Sequence, residues 1–184
     1  MTRLHRALGL LAAVLAVAAW HSDAPARVDF ISAPDLAARI VGQDPSLHVI
    51  DLRSRLDFDQ LHVAGAAHMT LDDLRQLSLP PSERIVLYAD DDDRAASGVR
   101  LLRASGYQHA LILHEGMSAW IARVLEPRLA TDATALERAE FERAAQLSRF
   151  FGGMSHSDVP RSELGGDMRE FARQAIVGIR RRGC

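Results

Sequence analysis

Short apolar runs alternate with stretches of helical spacing over most of the chain. "VDFIS" opens as a short strand beyond Arg27. Ser32 then precedes "APDLAARIV", where Pro34 and Asp35 in the first turn suit a capped helix. "LHVIDL" (47–52) is a continuous apolar strand and "RLDFDQL" a short helical turn. "GAAHMT" (65–70) is a further short strand, and Thr70 is placed to cap "LDDLRQL". "RIVLYA" (84–89) is the strongest strand pattern. A helix over 94–105 follows it and stops at Gly106. "HALILH" (109–114) is another buried strand, followed by the helix "MSAWIARVL". Fully apolar strands separated by helices predict an α/β fold: a parallel sheet of about five short strands, covered on both faces.

The pattern changes after Pro127. Residues 132–151 are rich in Ala, Glu and Arg, with Leu136, Phe141, Leu147 and Phe151 at helical spacing. "GGMSHSDVPRSELGGD" reads as a Gly/Ser/Pro linker of low order. "MREFARQAIVGIRRR" (168–182) reads as an amphipathic helix with its cations at the end that the helix dipole favours. The organisation expected is therefore a leader over 1–26, a domain over 28–127 and a helical extension over 128–184.

The leader is read from Arg3 and Arg6 ahead of an uncharged apolar run, Ala7 to Trp20. The run suits a signal segment and falls short of the roughly 18 residues that span a bilayer. Small-x-small sites follow at Ala16–Ala18 and Ala24–Ala26. The expectation is export to a periplasmic or extracytoplasmic location, with the segment either cleaved or kept as a membrane anchor.

Composition narrows the chemistry. The 184 residues carry a formal net charge of -2, which gives no reason to expect nucleic acid. The chain has no Lys, which removes Schiff-base chemistry and a Walker-type phosphate loop. Its single cysteine, Cys184, removes an internal disulfide and a Cys-rich zinc site. No cofactor is expected.

One stretch, "IVLYADDDDRAASG" (85–98), places four aspartates between a strand and a helix. In open α/β sheets this is where sites lie. Side-by-side carboxylates face water, support the N-terminus of the following helix, or hold a divalent cation, for which Asp90 and Asp92 are the candidate ligands. A strand with Asp90-x-Asp92 also suggests a phosphatase-type aspartyl nucleophile. That reading lacks the Thr or Val and the downstream Lys such sites need.

Three segments carry a family resemblance. "VIDLRSRLDFDQLHVAGAAHM" (49–69) has Asp51-x-Arg53 after a strand, the acidic-aromatic pair Asp57-Phe58, and His62-Val63-Ala64-Gly65-Ala66. "LYADDDDRAASGVRLLRASGY" and "LHEGMSAW" follow in order. Together, over residues 28 to 125, they resemble the rhodanese-like family. Leu61, Ala64, His68 and Glu115 stand where its pattern has Gly, Pro, Asn and Gly.

The resemblance implies sulfur transfer. A strand-end Cys takes the sulfane sulfur of a donor, and the persulfide rests in a loop of backbone N–H groups at a helix N-terminus. Tyr88 matches the residue before that Cys and Arg94 the Arg five positions after it. The Cys position is then Ala89, the loop is Asp90, Asp91, Asp92, Asp93 and Arg94, and the loop Gly falls at Asp92. Asp51, Arg53 and His62 are expected to support it, the first two as an ion pair beneath the loop.

Three functional expectations follow. The first is an exported binding or regulatory module, lacking the usual transfer and binding a periplasmic or membrane protein or a small ligand. The second is a sulfur carrier using Cys184, next to "RRR", with a sulfane-sulfur donor as substrate. The third is a metal-binding loop at Asp90 to Asp93. His62, His68 and His114 are expected to pack and to bond backbone.

Overall fold

The computed structural model describes residues 29–182. The expected export segment over 1–26 and Cys184 lie outside the described residues. Ser32 accepts from the Asp35 N–H at 3.2 Å and starts α1 (Ala33–Val41), which follows β1 (Asp29–Ile31). The order continues through β2 (Leu47–Asp51), α2 (Arg55–Gln60), β3 (Ala67–His68), a 3-10 turn (Asp73–Gln76) and β4 (Arg84–Tyr88). Then come α3 (Asp92–Ala104), β5 (Leu111–Leu113) and α4 (Gly116–Trp120). The expected α/β architecture is present: one five-stranded sheet in the order β1-β5-β4-β2-β3, every neighbouring pair parallel.

Strand alternation splits the core in two. Along β4, Val86 and Tyr88 face one hydrophobic cluster, while Ile85 and Leu87 face the other. The second cluster is closed by α3, whose Gly98 lies so close to the sheet that a Cβ there would come within 2.7 Å of Leu87 and 2.9 Å of Leu52. The first is closed by α1, α4 and the C-terminal helices, with Trp120 buried at 1% exposure.

The pattern after α4 departs from the single helix expected over "MSAWIARVL". Ile121–Leu125 forms a π-helical turn, closed by the Glu126 N–H donating to the Ile121 carbonyl at 2.7 Å. The widened turn delivers the chain into β6 (Arg128–Ala130).

The stretch read as a linker of low order is a correction. It holds β7 (His156–Val159), which pairs parallel with β6 in a second, two-stranded sheet, and the short helix α6 (Arg161–Leu164). Between them in sequence, α5 (Ala135–Phe150) starts at a capping box: Glu137 N–H donates to Thr134 Oγ1 at 3.3 Å, and Thr134 N–H donates back to Glu137 at 2.7 Å. Gly153 is required here, because a Cβ would stand 2.1 Å from the Leu125 carbonyl oxygen. His156 Nε2 lies 2.5 Å from the carboxylate of buried Glu126 and ties β7 to the end of the π turn. The extension is thus more than helical.

It is also not detached. α7 (Met168–Arg182) places Ala172, 3% exposed, in the same cluster as Trp120 and Val124. Phe171 packs under the Arg128 guanidinium at 3.8 Å. Among the described residues no helix is long and apolar enough to cross a membrane.

Candidate functional site

The carboxyl ends of β2 and β4 lie side by side, with Asp51 in register with Tyr88. Asp51 is fully buried. Arg53, 8% exposed, donates from Nη2 at 2.7 Å and from Nε at 3.1 Å to its carboxylate, and the Arg53 N–H donates to Oδ1 at 2.9 Å. Arg53 Nη2 also donates to the Leu61 carbonyl at 2.6 Å, which fixes the turn after α2. Burial alone would lower the Arg53 pKa, but the bonds and charge of Asp51 leave it raised above the ordinary value. The ion pair expected beneath the loop is therefore there, and it holds two loops at once.

Tyr88 completes this frame. Its hydroxyl accepts from the Val63 N–H at 3.1 Å, and Arg53 sits 5.5 Å from the ring centre. Burial, reinforced by the Asp51 charge, pushes the phenol well above its usual value, so it stays protonated. His62 stacks on Phe58 at 4.1 Å and bonds the Phe58 carbonyl at 2.8 Å. His68 bonds the Arg53 carbonyl at 3.0 Å. Both histidines thus take the packing and backbone roles expected of them.

Ala89 follows β4 directly and is 5% exposed. Its carbonyl is approached by Gly116, whose φ of 51° and whose clearance (2.8 Å from a Cβ to the Ala89 oxygen) both require glycine. Glu115, beside it, holds a left-handed φ of 59° without being Gly, and pairs with Arg123 at 2.7 Å. The Gly that the resemblance places at 115 has its physical reason in that backbone angle.

The four aspartates do not act together. Asp91 is the N-cap of α3, its carboxylate accepting from the Arg94 N–H at 2.7 Å. Asp92 and Asp93 lie in the first helical turn, so the helix begins two residues before the expected Arg94. Asp92 faces His114 at 3.8 Å. Asp90 alone turns to the cleft above the loop. Among the described residues no group of three or more His, Cys, Asp or Glu side chains is placed to hold a metal ion; of the two candidate ligands, Asp90 lines the cleft and Asp92 faces His114. Arg94 turns inward and donates from Nε to the Leu52 carbonyl at 3.0 Å.

Asp90 reports the local field. Its pKa is raised, first by partial burial, then by Asp57 and Asp51, and this outweighs the opposing pull of Arg53 and Arg94.

The rhodanese-like domain profile matches residues 32–123, half of the chain. The chain belongs to the rhodanese-like family. An uncharacterized Synechocystis protein, slr1261, is 29% identical over 80 residues, covering 42% of this chain and 45% of that protein. The chain thus spans less than half the length of this curated relative. Among solved structures, the Alr3790 protein of Anabaena sp. is 31% identical, covering 49% of this chain and 83% of its own, with a TM-score of 0.46. A human single-domain sulfurtransferase is 18% identical over 52% of this chain and 96% of its own, with a TM-score of 0.44.

Relative to the rhodanese-like pattern, sequence reasoning missed the roof of the site. The first half of α7 lies across the loop. Arg169, Ala172, Arg173 and Ile176 line one cleft of about 530 Å³ with Ala89 and Asp90. The amphipathic pattern of 168–182 signalled an apolar face but not what it covers. Further along the same helix, Ile179 lies with Leu61 and His62. The helix therefore leads away from Ala89 toward its C-terminal end.

Proposed function

We propose that this chain is a non-catalytic rhodanese-like module, exported, that binds a ligand or a periplasmic or membrane protein at the cleft over the Ala89 loop. The feature that carries the reading is Ala89 in "LYADDDDRA", which the resemblance aligns with the family's nucleophilic Cys. A methyl group has no lone pair with which to attack a sulfane sulfur, so no persulfide forms there. The field around it supports the same reading. An anion entering the loop meets Asp90, whose own pKa is raised by partial burial first and by the Asp57 and Asp51 charges after it. Each like charge at roughly 5 Å opposes a dianionic donor by about 3 kcal/mol per unit charge at an effective dielectric near 20. The buried Asp51–Arg53 pair, Tyr88 and Gly116 support a role as a shaped receptor, because they keep the loop rigid without contributing a reactive group.

The test is thiosulfate:cyanide sulfur transfer by the purified full chain. No turnover above the uncatalysed rate is expected. Turnover overturns the reading, and turnover lost in Cys184→Ser would assign it to the terminal thiol as carrier.

A further inference from the structure

The cleft over Ala89 is lined by seven charged side chains, and five of them are already engaged. Arg53 is bonded to Asp51, and the Asp57 carboxylate accepts from the hydroxyl of Ser54, the residue that caps α2. Glu115 is paired with Arg123, Arg173 with Glu170, and Asp167 accepts from the Arg169 N–H at 2.8 Å. Two remain. Among the described residues the Asp90 carboxylate and the Arg169 guanidinium make no hydrogen bond or ion pair, and they belong to opposite walls: Asp90 to the loop, Arg169 to the roofing helix. The same cleft is also lined by the apolar side chains of Met117, Ile121, Ala172 and Ile176. A concave cleft of about 530 Å³ in which charged groups converge beside apolar side chains has the size of small-molecule sites.

We propose that this cleft binds a small zwitterionic ligand, with its cationic group at Asp90, its anionic group at Arg169 and its aliphatic body between them. The proposal rests on the reading above that the loop binds rather than transfers. It deepens that reading by giving the ligand's chemistry. A free carboxylate held up in pKa by burial and by like charge gains most from a cation, which relieves both costs. An unpaired guanidinium on the facing wall supplies the complementary anchor, and its fork suits a carboxylate. The opposed charges also discriminate: a simple anion such as thiosulfate meets Asp90, and a simple cation meets Arg169 and Arg173.

Titration calorimetry on the full chain at low salt tests this with three six-carbon probes: 6-aminohexanoate, hexylamine and adipate. The expected order of affinity is 6-aminohexanoate, then hexylamine, then adipate. Asp90→Asn should weaken 6-aminohexanoate about tenfold, the equivalent of losing one charge-assisted bond. Arg169→Gln should lower it to the level of hexylamine. Asp93→Asn, which removes the same charge from an exposed position of the same run, should leave it unchanged. Heat with none of the probes, adipate binding tightest, or equal losses in Asp90→Asn and Asp93→Asn would overturn the proposal. Sulfur transfer is read in a separate assay, so its presence strikes the functional reading and leaves these affinities as an independent result.

Discussion

Asp51 ends β2 and Asp90 follows the neighbouring β4, yet they are opposite kinds of aspartate. Asp51 is fully buried and answered on every side by Arg53. Asp90 is exposed, without a bonding partner among the described residues, and its pKa is raised by its surroundings. The first belongs to the frame that shapes a rhodanese-like loop. The second belongs, in the function proposed above, to what the loop offers to a ligand. Neighbouring aspartates at the ends of paired strands thus meet opposite surroundings, one fully answered within the fold and one left open to the cleft.

Substitution at the two positions should separate them sharply. Asp51→Ala leaves the Arg53 guanidinium buried without its counter-charge, and a loss of about 3–5 kcal/mol in urea denaturation is expected. A loss below about 1 kcal/mol would show that the pair is not part of the frame. Gly116→Ala comes next. It forces a Cβ against the Ala89 carbonyl in a left-handed backbone, and should cost about 1–3 kcal/mol by the same measurement.

Asp90→Asn should be the smallest change, within about 0.5 kcal/mol and on the stabilising side. The sign follows from proton binding. A carboxyl whose pKa is higher in the folded state than in the unfolded chain opposes folding as pH rises from the ordinary carboxylate range through the raised value. The advantage of the Asn variant should therefore be full at neutral pH and vanish in acid. Thermal unfolding of both proteins across that range checks it, and an advantage that grows in acid would contradict the raised pKa.

Much of this was legible in the chain. The alternation of apolar runs with helical stretches gave the parallel sheet, because buried parallel strands leave an almost unbroken apolar signal. Asp51-x-Arg53 announced a strand-end ion pair, since both partners are local and the geometry is set by a tight turn. What stayed hidden depends on contacts distant in sequence. "HSDV" has no strand pattern of its own and becomes β7 only through pairing with Arg128–Ala130. The π turn at Ile121–Leu125 leaves no periodic mark in so short a window. The helix over 168–182 was readable as amphipathic, but its place over Ala89, and with it the facing of Arg169 and Asp90, is a product of packing. The capping box at Thr134 and Glu137 was a local signal and could have moved the predicted start of α5 from 132 to its observed position.

The proposed function requires an acidic field at the loop after β4. A thiol placed at the strand end measures that field directly. In an Ala89→Cys, Cys184→Ser double variant, the thiol pKa can be followed by thiolate ultraviolet absorbance as pH is raised. In a persulfide-cradling loop at a helix N-terminus the value falls well below the roughly 8.5 of a free cysteine. Here it should lie above that value, and a thiol titrating below about 7 would contradict the account.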